Sequence, residues 1–106
     1  MLPILLGAVI SVSPATLTLQ IGGLTFGKVT ASAASKHVAI GTSTCFATNP
    51  SSRDILNVYS RTSSESGKFT TLTIHVKAQR PGKCEIKFQS DSNFQAVNVN
   101  VKPEEP

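Results

Sequence analysis

Apolar and polar residues alternate with period two in several short runs along this chain. The opening run, residues 10–23, reads ISVSPATLTLQIGG, and apolar positions alternate with Ser, Thr and Gln on both sides of Pro14. This alternation is the pattern of a half-buried β-strand. Because proline cannot donate a hydrogen bond to a sheet, Pro14 predicts either an edge strand or a point where the strand breaks and changes sheet.

Six later runs predict further strands, and their apolar positions predict the core. The predicted strands are residues 24–31, 37–46, 55–59, 69–77, 83–89 and 94–101. The clearest inward positions are Leu72, Ile74, Val76, Cys84, Ile86, Phe88, Val97, Val99 and Val101. Turns rich in Gly, Pro, Asn and Ser separate the strands, and no segment has helical periodicity. The pattern predicts an all-β antiparallel sandwich of about seven strands, in one domain.

Three local features depart from simple alternation. Phe26 and Val29 do not both fit a strict period of two, so Gly27 between them is a predicted bulge. A slip near Gly41 would place Cys45 on the same face as the apolar residues of its strand. The polar segment 61–68, RTSSESGK, is predicted to be an exposed loop.

The first nine residues form an apolar lead-in before the predicted sandwich of residues 10–102 and a tail or linker at 103–106. Left in water, this lead-in would be an unusual exposed patch, so we expect it to form an assembly interface. The residues involved are Leu2, Ile4, Leu5, Leu6 and Val9. An extra strand packed on the same domain is one alternative. A signal peptide is another, but no Lys or Arg precedes Lys28, and cleavage after Ala15 would remove half of the opening strand. The run is too short for a transmembrane helix.

The opening run also resembles a known family. SVSPATLTLQIGG is similar to the first strand of bacterial Ig-like domains of group 2, which carry a V-x-V-x-P-x-x-x-x-L-x-x-G pattern. Residues 76–88 resemble the late segment of that family, whereas Cys45 and the two residues after it stand where the family often has a Trp-Ser-Ser-like strand. The resemblance implies an Ig-like sandwich that acts as a spacer or binding module in adhesins, other surface proteins and phage structural proteins. It implies no catalytic residues.

The two cysteines, Cys45 and Cys84, are far apart in sequence and form no metal-binding pair with His37 or His75. They are either a disulfide, which would indicate an oxidising compartment, or two buried free thiols. The resemblance places them on the third and sixth strands, which are neighbours in one sheet of an Ig-like sandwich. It therefore implies that the two residues are in contact.

Charge and motifs exclude several classes of function. Ten Lys and Arg against six Asp and Glu give a net charge of +4. Lys77, Arg80, Lys83 and Lys87 could form a basic stripe, but solvated strand positions are the favoured interpretation, and no aromatic residues interleave with them as in single-strand binders. The acids are scattered, no Ser lies in a nucleophile elbow, and no phosphate-binding motif is present. We therefore predict no catalytic residues, metal or cofactor.

These observations predict a non-enzymatic Ig-like structural or adhesive module that acts by protein–protein contact. The predicted setting is a virion, as a capsid decoration or tail protein, or a cell surface. Self-association stays open. The alternatives are a domain excised from a larger bacterial surface adhesin, and a carbohydrate-binding module. The latter needs an exposed aromatic platform, whereas most of the five Phe residues and Tyr59 are predicted to lie in the core.

Overall fold

The computed structural model describes residues 9–105, which form eight β-strands and no helix. The strands are β1 (Ser11–Ser13), β2 (Thr16–Gln20), β3 (Phe26–Ala33), β4 (Ala39–Ser43), β5 (Leu56–Ser66), β6 (Phe69–Ala78), β7 (Gly82–Ser90) and β8 (Asn93–Lys102). They make two four-stranded sheets. The first sheet has the order β1-β3-β6-β5, and the second sheet has the order β2-β8-β7-β4. The predicted all-β sandwich is confirmed.

The opening run changes sheet at Pro14. Residues before it, in β1, pair antiparallel with β3 of the first sheet, and residues after it, in β2, pair with β8 of the second sheet. The peptide bond between Ser13 and Pro14 is cis. The second of the two readings of Pro14, a sheet switch, is therefore confirmed, and the split explains why there are eight strands instead of seven.

One strand pair corrects the prediction of a wholly antiparallel sandwich. Strand β2 runs parallel to β8, with Leu17 opposite Val99 and Leu19 opposite Val101. At Pro14 the chain crosses from the first sheet to the second without reversing its direction. Strand β1 runs antiparallel to its neighbour β3, whereas β2 runs parallel to its neighbour β8. The resulting strand order matches that of Ig-like sandwiches, in which strands A, B, E and D face strands C, F and G.

The core fills the space between the sheets with the residues that alternation places inward. Ile74, Val76, Ile86, Phe88 and Val97 are fully buried, and Leu72, Val99 and Val101 are almost so. Leu17 and Leu19 of β2 cover one side of this core. Burial of each such side chain stabilises the fold by about 1.5–3 kcal/mol relative to its exposure. The predicted inward faces of β6, β7 and β8 are confirmed.

The prediction of a bulge at Gly27 is wrong. Strand β3 pairs with β6 without interruption from Phe26 to Ala33. Gly27 instead faces inward, where a Cβ atom would lie 3.1 Å from Leu17 Cδ1 and 3.2 Å from Leu19 Cδ2. Phe26 faces solvent, so strict alternation holds once Gly27 is counted as a core position.

Bulges occur at two other places. The register between β4 and β7 shifts between Ile40 and Thr42, which confirms the predicted slip near Gly41. The register between β5 and β6 shifts between Val58 and Ser60, which leaves Tyr59 without an opposite residue.

The prediction of an exposed loop at residues 61–68 is also wrong. Strand β5 continues to Ser66 and pairs with β6 through every residue from Ser60 onward, so that only a tight turn at Gly67 and Lys68 remains. The segment is exposed, as expected from its polarity, but it is an exposed edge strand. Its partner β6 is strongly apolar on its inward face and supplies a rigid template for pairing.

Candidate functional site

An aromatic cluster on the outer face of the first sheet is the strongest candidate site among residues 9–105. It consists of Phe26, Tyr59, His75 and Lys77, and this set is called the aromatic cluster below. Phe26 and Tyr59 are 54% and 52% exposed, whereas large apolar rings normally contact other protein atoms on most of their surface. Three strands contribute to the cluster: β3, β5 and β6.

Local backbone structure brings these side chains together. In the antiparallel register, Phe26 of β3 lies directly opposite Lys77 of β6, and His75 lies two residues before Lys77 on the same face. Tyr59 is the extra residue of the β5 bulge. A bulge locally changes the direction of side chains, and this one places the Tyr59 ring beside the other two.

The aromatic rings of the cluster lie within contact distance of one another. The Phe26 and Tyr59 rings meet edge to face, with centroids 5.9 Å apart and planes at 88°. The rings of Tyr59 and His75 are 6.0 Å apart and tilted by 41°. The Lys77 ammonium nitrogen lies 5.7 Å from the Phe26 centroid, within cation–π range. The four side chains therefore lie within aromatic and cation–π contact distance of one another.

The surroundings of the cluster are cationic. Strands β1, β3 and β6 contain no Asp or Glu, and Lys28 lies opposite His75 in the register. A surface with two lysines beside two exposed rings favours a partner that presents carboxylates or other anions next to an apolar group.

The sequence-based prediction that most aromatic residues lie in the core is wrong. Phe88 is fully buried and Phe46 packs partly buried against the core, but Phe26, Phe69 and Phe94 are more than half exposed. Placing Gly27 in the core would have revealed the outward direction of Phe26 from sequence. The Tyr59 bulge had no comparable sequence signal.

Cys45 and Cys84 form a disulfide at the end of the second sheet. Cys45 is fully buried just beyond β4, Cys84 lies on β7, and their Cα atoms are 5.1 Å apart. The Thr44 amide donates to the carbonyl of Glu85, and the Leu56 amide donates to the carbonyl of Cys45. The disulfide therefore fixes the point where the chain leaves the second sheet for β5 of the first.

The predicted assembly residues lie mostly outside the described part of the chain. Of the five, only Val9 falls within residues 9–105, and it is 72% exposed beside the buried Ile10. Leu2, Ile4, Leu5 and Leu6 stay a prediction.

The predicted basic stripe does not form one surface. Lys77 lies on the outer face of the first sheet, whereas Lys83 and Lys87 lie on the outer face of the second. Arg80 is in the connection between β6 and β7, where its guanidinium donates to the carbonyl of Arg53 at 3.2 Å.

Residues 9–105 contain neither a metal-binding cluster nor a membrane-spanning helix. No group of three or more His, Cys, Asp and Glu side chains is arranged to hold a metal ion. No helix there is long and apolar enough to cross a membrane.

Comparison with known proteins adds no relative. No protein-family model matches the sequence, and no curated protein is significantly similar to it.

Proposed function

We propose that this protein is a non-enzymatic Ig-like module that acts by protein–protein contact in a virion or a cell-surface assembly. The single observation that carries the proposal is the aromatic cluster. Exposed, contiguous apolar groups on a small domain are characteristic of binding surfaces, aromatic side chains are enriched at such surfaces, and Tyr is among the residues that dominate their energetics. The rigid sandwich beneath holds the rings in place, which lowers the entropy lost on binding.

The disulfide supports the proposed location. Disulfides persist in secreted proteins and on virion and cell surfaces, where the environment is oxidising. Capsid decoration, a tail protein and an adhesin domain all share that environment, and the proposal covers these three settings.

Site-specific photo-crosslinking tests the proposal. A benzophenone amino acid replaces Tyr59 in the full chain, and the protein is irradiated in the intact particles or cells that carry it. We expect a discrete protein adduct that excess wild-type chain suppresses and the Phe26→Ser/Tyr59→Ser variant does not. The matched control places the benzophenone at Phe94, which is 54% exposed on the second sheet. Equal adducts from both positions, or none from position 59, would contradict the proposal.

Carbohydrate binding is the second candidate, because the aromatic cluster is the exposed platform that such a module needs. Sugar rings stack on exposed aromatic faces, and the neighbouring lysines would favour acidic sugars. Binding of the wild-type chain on a glycan array, lost on Tyr59→Ala and kept on Phe94→Ala, is the result that this candidate predicts. If the array gives no signal and position 59 gives a protein adduct, the result supports protein–protein contact and excludes the carbohydrate-binding candidate.

A further inference from the structure

Strand β5 is an edge strand, and it is longer than the other edge strands of the two sheets. It pairs with β6 on one side only, and it runs for 11 residues. The other three edge strands are β1 with three residues, and β2 and β4 with five residues each. In addition, β4 is interrupted by its bulge at Gly41. An edge strand exposes a row of unpaired backbone donors and acceptors, which makes it a template for a further strand.

The stretch of β5 that follows the Tyr59 bulge is regular and accessible. Residues 60–66 pair with β6 without a register shift, so their backbone is straight enough to accept another strand. The stretch contains no proline, and its side chains from Arg61 to Ser66 are all exposed. Small Ser and Thr side chains dominate it, so a second strand could approach without steric conflict.

The charged residues of this stretch lie on one face and carry opposite charges. Arg61 lies opposite Ile74, and Glu65 lies opposite Thr70, and both of these β6 residues face the core. Arg61, Ser63 and Glu65 therefore all point to the sandwich side of the sheet, since paired residues in a sheet share a face. All three side chains are exposed.

We propose that two copies of this chain associate by antiparallel pairing of β5 with β5, about a two-fold axis at Ser63. In this register Arg61 of each copy lies opposite Glu65 of the other, and Thr62 lies opposite Ser64. The charges on the two copies complement each other only when the two β5 strands run antiparallel, which is the arrangement that a two-fold axis generates. This inference rests on the proposed function, because it names a second copy of the chain as one of its protein partners.

The pairing would join the two first sheets into one continuous eight-stranded sheet. Seven paired residues on each strand supply about six inter-strand hydrogen bonds, and two charge pairs border the axis. Because paired residues of neighbouring strands lie on the same face of a sheet, the two aromatic clusters would lie on the same side of the joined sheet. Two copies of the cluster would then present a bivalent surface to a larger assembly.

Charge reversal with rescue tests the register. Sedimentation equilibrium of the full chain, at concentrations up to about 1 mM, measures dimer formation. Arg61→Glu places Glu opposite Glu twice, and Glu65→Arg places Arg opposite Arg twice. We expect each single variant to raise the dimer dissociation constant by about tenfold, because opposite charges across strands become like charges. We expect the double variant Arg61→Glu/Glu65→Arg to restore it, because the complementarity is recovered with the signs exchanged.

The controls separate a specific interface from a general charge effect. Lys83→Glu makes the same change in net charge as Arg61→Glu at an exposed position on the second sheet, and it should leave the dissociation constant unchanged. At concentrations well below the dimer dissociation constant, thermal unfolding should be the same for all variants, since both β5 positions are exposed. A wild-type chain that stays monomeric overturns the inference, as does a double variant that dimerises no better than the single variants.

The outcome is independent of the test of the aromatic cluster. Arg61 and Glu65 lie on the sandwich side of the first sheet, whereas the cluster lies on its outer side. A failed rescue together with a specific adduct from position 59 would remove the β5 dimer and leave the proposed function standing. A rescued dimer without such an adduct would leave a self-associating module whose aromatic cluster has another role.

Discussion

At the scale of single residues, the inward or outward direction of each side chain decides what the residue does. Gly27 occupies an inward position on β3, beneath the Leu17 and Leu19 side chains at 3.1–3.2 Å from a hypothetical Cβ. Its lack of a side chain lets β2 of the second sheet approach β3 of the first. The same alternation turns the neighbouring Phe26 outward and makes it available to the aromatic cluster.

Substitution of Gly27 by valine should therefore destabilise the protein. The added methyl groups would overlap the Leu17 and Leu19 side chains, and overpacking of this kind costs about 1–3 kcal/mol. Urea unfolding followed by circular dichroism gives the change in free energy of unfolding. Lys28→Val is the control, because it adds the same β-branched side chain at the adjacent outward position. Equal free energies for the two variants would show that position 27 is not a tight core site.

At the scale of elements, the disulfide ties the segment between β4 and β5 to the second sheet. Cys45 follows the bulged strand β4, and the segment from there to β5 crosses between the sheets without a strand of its own. Cys84 anchors it to β7, which lies in the centre of the second sheet. The sequence separation of 39 residues makes the enclosed loop long, and closure of a long loop removes much entropy from the unfolded chain.

Reduction of the disulfide should lower the free energy of unfolding by about 3–4 kcal/mol, as the chain-entropy relation gives for a loop of this length. Urea unfolding of the wild-type chain with and without dithiothreitol measures the difference. The Cys45→Ala/Cys84→Ala variant is the control, because it should be unaffected by the reductant. A loss below about 1 kcal/mol in the wild type would contradict the expected role of the disulfide.

Strand β5 shows why sequence alone misjudged one element. Its residues after Tyr59 are polar on both faces, so they have no period-two signal, and polarity predicted a loop. The segment is a strand because β6 pairs with it residue by residue, although the side chains on both of its faces are polar and exposed. Tertiary context overrides local preference in strands more readily than in helices.

At the scale of the whole molecule, the sandwich distributes the net positive charge over two opposite faces. Five of the ten Lys and Arg residues lie on the outer faces: Lys28 and Lys77 on the first sheet, and Lys83, Lys87 and Lys102 on the second. A nucleic-acid duplex could therefore contact at most three of these lysines at once.

The affinity for duplex DNA should depend only weakly on salt. Each neutralised phosphate contributes about 0.9 to the slope of log K against log salt concentration, so a duplex bound to the three lysines on the outer face of the second sheet should give a slope of about −3. Fluorescence anisotropy with a labelled duplex, over a range of NaCl concentrations, measures it. Lys83→Ser/Lys87→Ser should reduce any slope that the second sheet produces. A slope much steeper than −3 would indicate a continuous basic surface that this distribution of lysines does not provide.

Sequence by itself determined the fold class, the inward faces of β6, β7 and β8, the break at Pro14 and the slip near Gly41. These features follow from local rules, because the period of a strand, the missing amide hydrogen of proline and the turn residues act over a few positions. Tertiary structure decided the parallel pairing of β2 with β8, the burial of Gly27, the length of β5 and the assembly of the aromatic cluster. Each of these depends on which strand lies alongside another, and that is set by packing between residues far apart in the chain. The candidate site belongs to this second group, since three strands and one bulge must meet before Phe26, Tyr59, His75 and Lys77 become neighbours.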